Sequence, residues 1–311
     1  MAVFPVAAGH TDMSSTSSMG YIPQIWTTKM LRKFYKRSVF GSISNTEYEG
    51  VIKNFGDTIY IRTTPDITIR DWVKGQKLIY ESPESAKVSM QIQRAKYYAF
   101  GIDDVDKRQA DVPFQEKWSE DAGEAMKVKI DNTLLAAIPT DAHASNKGLT
   151  AGATSSSYNM GVSGTPLALT KTNILEFIAD ADAVLAENDA PDDGHFMVLP
   201  VWATNLIHKS DYKDASMVGG EVSAMVNGRI GKIYDMEIFR SNNLTSVTDG
   251  AYTAWNLLFG TKEATAFASQ FTENGIIDNP DAFGKLIRGL QVFDFKVLQS
   301  KLLGNGYVRK G

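Results

Sequence analysis

The chain contains no cysteine. Disulfides, thiolate nucleophiles and cysteine-held metals are therefore excluded, and the absence fits folding in a reducing compartment. Histidine is scarce. His10, His143, His195 and His208 are the whole set, and no two stand at the i, i+4 spacing of a helical metal pair. No Gly-x-Ser-x-Gly elbow is present to support a serine hydrolase. Positive charge is not in surplus either. The 32 basic residues face 36 acidic ones, for a net charge of −4. Nothing is left over to neutralise a phosphate backbone, so tight or sequence-specific nucleic-acid binding is not expected. No apolar run approaches the roughly 18 residues of a membrane helix, so no span is expected. Met1 to Gly20 lacks a positive start and has only the short apolar run Ala2 to Ala8, which reads as no signal peptide.

The remaining candidates for chemistry are weak. Asp103, Asp104 and Asp106 cluster, but without the ligand spacing and closing glutamate of a calcium loop, so they read as an acidic bend paired with Lys107 and Arg108. Asp192-Asp193-Gly194 reads as a turn after Pro191. Gly228-Arg229-Ile230-Gly231 and Gly304-Asn305-Gly306 match no phosphate-binding fingerprint and read as turns. The sequon Asn243-Leu244-Thr245 has no secretory context. No catalytic residue, metal or cofactor is expected.

What is present is a sequence of well-marked parts. With 43% hydrophobic and 22% charged residues the chain can bury a sizeable core. Residues 1–20 are small and polar and read as an arm ordered by a partner, if at all. Tyr21 to Val39 has apolar residues at helical spacing mixed with Lys29, Arg32, Lys33, Lys36 and Arg37, and reads as a short amphipathic helix with a solvated basic face. From Asp57 to Gln93 the period switches to two. Ile59 and Ile61, then Ile67 and Ile69, then Val88, Met90 and Ile92 alternate with polar residues, which predicts a β-ribbon with one apolar face. Lys74-Gly75-Gln76-Lys77 supplies its turn. Pro65 and Pro83 fall at similar heights on the two arms and cannot donate to a central ladder, so the arms are expected to be edge-like or bulged there. An isolated two-stranded ribbon is marginal in water, so something outside must cover its apolar face.

A strand over Lys96 to Ile102 and a long helix from about Pro113 to Ile138 follow. Trp118, Ala122, Met126, Ile130, Leu134 and Ile138 recur every four residues as a slowly drifting apolar stripe, while Asp121, Asp131 and the other charged residues fall on other faces. Residues 140–166 are rich in Gly, Ser, Thr and Ala and mark a loop or irregular β excursion. Beyond them the pattern predicts helices over Thr172 to Asn188 and Val201 to Lys209. It predicts strands over Phe196 to Val201, Lys232 to Arg240, Trp255 to Phe259 and Leu286 to Leu303, with Asp211 to Asn227 less regular. No internal repeat is visible.

The order of these parts, with the phrases Phe100-Gly101-Ile102-Asp103-Asp104-Val105-Asp106 and Gly231-Lys232-Ile233-Tyr234-Asp235-Met236-Glu237-Ile238-Phe239-Arg240-Ser241-Asn242-Asn243-Leu244, resembles the major capsid proteins of tailed bacteriophages. That resemblance implies an α+β chain of the Hong Kong 97-type capsid fold. It implies an N-terminal arm (1–45), an extended β-loop (46–100), a peripheral domain (101–169) with the spine helix 113–138, an axial α/β domain (170–285) and a return strand to the peripheral domain (286–311). The implied role is a subunit that self-assembles, through pentamers and hexamers, into an icosahedral shell around packaged double-stranded DNA. The implied partners are other copies, a portal protein, DNA held by non-specific enclosure, and no membrane. Some members begin with a scaffolding pro-domain; here the arm starts almost at once, so a separate scaffolding protein is expected. The implied location is the virion, with assembly in the host cytoplasm. Ile59, Ile61, Ile67, Ile69, Trp72, Lys74, Gly75, Lys77, Val88, Met90 and Ile92 would contact the neighbouring subunit. Lys74 and Lys77 offer the lysine of the covalent cross-link some members form, but exposed lysines are commonplace at loop tips and no cross-link is expected. An encapsulin-like shell around protein cargo is the alternative within the same fold. A cytosolic hydrolase is the alternative from another class.

Overall fold

The computed structural model describes residues 35–36, 38–47, 58–62, 65, 67–83, 87–104, 114–210, 231–280 and 283–311. Most of the basic helix expected over Tyr21 to Val39 and the irregular stretch Asp211 to Asn227 lie outside the described residues, as do Val105 to Pro113. The described residues form three sheets and a few helices. A one-turn helix α1 (Phe40–Ile43) precedes a two-stranded ribbon of β1 (Thr58–Arg62) and β2 (Lys87–Gln91). The next strand, β3 (Arg94–Asp103), leads towards the long helix α2 (Phe114–Ala137). The chain then passes through β4 (Leu167–Leu169), α3 (Ile174–Ala186), β5 (His195–Leu199) and α4 (Val201–Lys209). After that come β6 (Lys232–Ile233), β7 (Met236–Arg240), β8 (Ser246–Asp249), β9 (Tyr252–Thr261), β10 (Thr265–Asp278), β11 (Gly284–Val297) and β12 (Leu303–Lys310).

Two sheets build the body. In the first, β10, β11 and β3 pair antiparallel in that order, and α2 lies beside β3. β10 and β11 are fourteen residues each, broken by one bulge at Phe271/Glu273. In the second, the order is β4-β12-β9-β5-β7-β6, with β8 on the free part of the β9 edge. β5 is buried along its whole length, as a central strand covered on both faces should be. α3 buries Phe177, Ile178, Ala181, Val184 and Leu185 in the main core, and α4 buries Ala203 and Ile207.

Several expectations need correction. Lys232 to Arg240 is not one strand. It is a tight hairpin of β6 and β7, turned at Tyr234 with φ +51°. Leu286 to Leu303 does not run as one return strand. β11 ends at Val297, and the chain turns through a 3-10 segment into β12, which joins the second sheet rather than the sheet beside α2. Gly304-Asn305-Gly306 is no turn but the middle of β12. A Cβ at Gly304 would run into the Phe259 ring, and one at Gly306 would meet Phe177, so glycine is required by close packing rather than by chain reversal. β10 and β8 had no clear period-two signal; β10 is largely masked by its small residues Ala266, Ala268 and Ser269.

The long helix shows why a strict four-residue repeat is not a face. Each step of four advances about 40° beyond a full turn, so five steps carry the stripe roughly half way round the helix. Met126, Ile130, Leu134 and Ile138 are buried, Ala122 is half-buried, and Trp118 is 39% exposed, touching Phe100 edge-on with ring centroids 5.8 Å apart. Ile138 itself begins the 3-10 turn that follows α2. The buried face holds the C-terminal four of the stripe, Met126, Ile130, Leu134 and Ile138, and adds Asp131 and Leu135 beside them, so that Asp131, Leu134, Leu135 and Ile138 stand at the i, i+3, i+4, i+7 spacing of a single stripe.

Asp131, expected on a solvated face, is only 1% exposed. One of its carboxylate oxygens accepts from the backbone N–H of Val39 (3.1 Å) and of Phe40 (2.9 Å), and from the Ser38 hydroxyl (3.1 Å). The other accepts from the Asn243 side-chain amide. The first group of donors includes the start of α1, where backbone N–H groups have no partner within the helix. A single carboxylate therefore joins the N-terminal segment, the long helix and the loop after β7. The segment is fixed again where Asn45 bridges β10, through Asn45 N–H to Thr265 O and Phe267 N–H to Asn45 O, both 2.9 Å. Elsewhere the Glu187 carboxyl is held below the ordinary carboxylate range, chiefly by the backbone N–H of Ser155, and so clamps the 152–158 loop to the end of α3.

Asp131→Ala is expected to lower the unfolding free energy by about 3 kcal/mol, because it strands buried backbone donors as well as removing charged hydrogen bonds. Urea denaturation of the unassembled protein measures this, and a loss under about 1 kcal/mol would mean the carboxylate is not the tie described.

Candidate functional site

The ribbon is built in two halves with different surroundings. The ladder runs from Thr58 paired with Gln91 to Arg62 paired with Lys87, which centres the hairpin between Lys74 and Gly75. The turn is there: Gln76 N–H donates to Val73 O at 3.0 Å and Gly75 has φ +90°. Glycine suits that position because a side chain there would be strained. Between the ladder and the turn, the described residues carry no strand pairing. The last described pair, Arg62 with Lys87, lies before Pro65 and after Pro83, which the register places next to one another across the hairpin. The outer arms still face each other in the same register. Thr68 N–H donates to the Glu81 carboxylate at 2.7 Å, and Arg70 lies 3.8 Å from the same group.

The root of the ribbon folds onto its own chain. Met90 and Ile92 are each 1% exposed and form a small core with Ala266, Ala268 and Val292, against which Ile61 and Leu298 pack. Asp294, also buried, accepts from Gln93 N–H at 3.0 Å and from the Arg94 guanidinium at 3.2 Å, where the chain leaves β2 for β3. Met90 and Ile92 are therefore not available to a neighbour, contrary to expectation. They are covered because β2 continues directly into the region beside β11, whose Val292 and Asp294 sit beneath it. Val88 and Ile61 are half-buried at the same root. Of the side chain of Ile59 nothing is described.

The tip is the reverse. Ile67, Trp72, Val73, Leu78 and Ile79 are between 63% and 66% exposed, Tyr80 is 87% and Ile69 is 91%. Lys74 and Lys77 are exposed beside them. Monomeric proteins seldom present so many large apolar side chains together on a projecting element. Four of them, Val73, Leu78, Ile79 and Tyr80, had no period-two pattern to single them out; adjacency to the turn was the signal that could have found them. A second, smaller apolar projection is Ile276, Ile277 and Phe283 at the end of the β10–β11 hairpin, with Phe283 88% exposed.

The residues that might have carried chemistry are scattered. His143 bonds Ser145 at 2.7 Å, His195 is buried against Asp182 at 2.7 Å, and His208 lies on α4 at the other end of β5. His10 lies outside the described residues. Among the described residues no group of His, Asp and Glu is placed to hold a metal ion, and no described helix is long and apolar enough to cross a membrane.

No protein-family model matches the sequence, and no curated protein matches it. Solved structures match it in shape along nearly its whole length. A chain from Mycobacterium phage Che8 superposes with a TM-score of 0.70 at 21% identity, covering 92% of this chain and 96% of that one. The capsid structure of the cyanophage P-SCSP1u gives 0.67 at 14% identity, with 100% of each chain covered. The capsid of Ralstonia phage GP4 gives 0.61 at 11% identity, with 94% and 95% covered. The fold is thus α+β, with a ribbon, a long helix beside an antiparallel sheet, and a separate mixed sheet. More narrowly, it is the Hong Kong 97-type fold of phage major capsid proteins.

Because the tip packs on nothing else among the described residues, replacing Asp71 to Leu78 with a two-residue Asn-Gly turn is expected to leave the melting temperature within a few degrees of the parent. A large drop in thermal unfolding, followed by circular dichroism, would show that the tip does support its own body.

Proposed function

We propose that the protein is a major capsid protein whose copies assemble, as pentamers and hexamers, into an icosahedral virion shell around packaged double-stranded DNA. The observation that carries this reading is the ribbon: its root is locked into the subunit and its apolar tip is left uncovered. Trp72, Ile69 and Tyr80 would be buried on an adjacent copy, with Ile67, Leu78 and Ile79 beside them. Burial of even about 300 Å² of apolar surface per copy contributes roughly 7 kcal/mol before ordering costs. Repeated over a closed shell, contacts of that size need not be strong singly. The shape matches to phage capsid structures support the same role, and the chain's slightly acidic balance suits a wall that encloses DNA without adhering to it.

The spine residues Met126, Ile130, Leu134 and Ile138 serve this role indirectly, by holding the helix on the sheet from which the ribbon springs. The chemistry is association rather than turnover. Assembly in the host cytoplasm, with a separate scaffolding protein to set curvature and a portal protein at one vertex, completes the reading.

Two outcomes are expected. Purified protein imaged by negative-stain electron microscopy shows closed particles or rings; a stable 34.2 kDa monomer at all concentrations refutes the shell. In the same assay the Asp71 to Leu78 replacement and the single change Trp72→Asp yield folded subunits that do not form stable shells. Normal shells from both would sink the ribbon as the clasp.

A further inference from the structure

The second sheet carries opposite charge at its two ends. β5 starts at His195, beside Met236 and Thr261, and stops at Leu199, beside Arg240. The two ends of that strand are about 17 Å apart. At the starting end, Asp189, Asp192, Asp193 and Glu263 are exposed, against Lys262 and Lys301. At the finishing end stand Arg240, His208, Lys209, Arg309 and Lys310. The nearby acid there, Asp249, already accepts from Gly164 N–H at 2.6 Å.

The basic end also has a shape. Between α4 and the end of β7 lies a hollow of about 640 Å³, lined by Trp202, Asn205, His208, Arg240, Asn242 and Trp255. The two tryptophan rings stand 5.1 Å apart and form its apolar wall. Part of its polar lining is unused. The Trp202 indole N–H has no partner, and Arg240, His208 and Asn205 make no hydrogen bond or ion pair among the described residues. Lys36 adds a further cation nearby, its ammonium donating to the Asn242 carbonyl at 2.9 Å.

We propose that this hollow receives the Asp192–Asp193 turn of a second copy, so that neighbours meet head to tail along the axis of β5. This rests on the shell-subunit reading and adds to it a named contact separate from the ribbon. The turn suits the role: Pro191 to Gly194 is exposed throughout, Gly194 holds φ +84°, and neither aspartate side chain has a partner among the described residues. A guanidinium takes a carboxylate through paired hydrogen bonds, and the Asn205 side-chain amide on the same lining can donate to the same group. Donor and acceptor lie at opposite ends of one rigid sheet, so one copy cannot satisfy itself. The contact is heterologous, the kind that propagates into rings. Opposed charge would also orient the two copies before they touch.

Charge reversal tests this on the full chain, with sedimentation and electron microscopy as readouts. Arg240→Glu alone, and Asp192→Lys with Asp193→Lys, should each leave circular dichroism and melting unchanged while cutting the assembled fraction at least about tenfold. All three changes together should recover a substantial part of the lost assembly, because the pair at position 240 is re-formed with its sign exchanged while Lys36 and Lys209 remain beside it. If Arg240→Glu assembles normally, or the triple variant is no better than its parts, the contact is wrong; the second result would point to a different acidic partner in the hollow. If the parent protein assembles in those cases, the shell reading stands without the contact. A parent that stays monomeric overturns both.

Discussion

The Asp131 carboxylate is the constraint on which the arrangement of parts depends. It stands in the buried face of α2 and binds donors from two distant stretches of chain, residues 38–40 and Asn243. A buried charge is costly unless its lone pairs are filled, so the site stabilises only the arrangement that brings all of these donors together. It therefore fixes the N-terminal segment against the helix, and the helix against the loop that closes β7. The Ser-Asn-Asn-Leu phrase has its physical reason here. Ser241 N–H donates to Leu199 O, and Asn243 N–H to the Ser241 hydroxyl, both at 3.0 Å; this sets the loop so that the Asn243 amide reaches Asp131.

Asp294 repeats the device on a smaller scale. It terminates the ribbon ladder by taking Gln93 N–H, and holds Arg94 over the Phe295 ring at 4.5 Å. With Met90 and Ile92 buried beside it, the ribbon emerges from a rigid root at a defined place. Two acids carried on buried faces thus locate the segment around α1 and the root of the ribbon.

Much of this was legible in the residues. The period-two run, the Gly75 turn and the paired prolines together located the hairpin and its centre, because turn chemistry and alternation are local. The helices α3 and α4 and the buried strand β5 were visible for the same reason. The division of the ribbon into covered root and bare tip was not, since it depends on Ala266, Ala268 and Val292, more than a hundred and seventy residues away in the chain. The role of Asp131 was hidden likewise, an acid among many until its donors are placed. Gly304 and Gly306 read as a turn because sequence alone does not reveal that Phe259 and Phe177 press against a strand there. The Arg240 hollow, too, is a property of three dimensions.

The prolines that interrupt the ribbon separate two kinds of adhesion. Side chains at the tip are apolar and uncovered, which favours packing against any matching surface. Open strand edges are the other hazard, since they template hydrogen bonding with whatever extended chain comes by. Pro65 and Pro83, which cannot donate to a ladder, stand between the paired residues and the bare segment, and Arg70, Asp71, Lys74, Lys77 and Glu81 place charge along it. The chain thus exposes a surface that recognises shape while withholding one that invites amyloid-like growth. A chain that presents such a surface gains solubility from that separation.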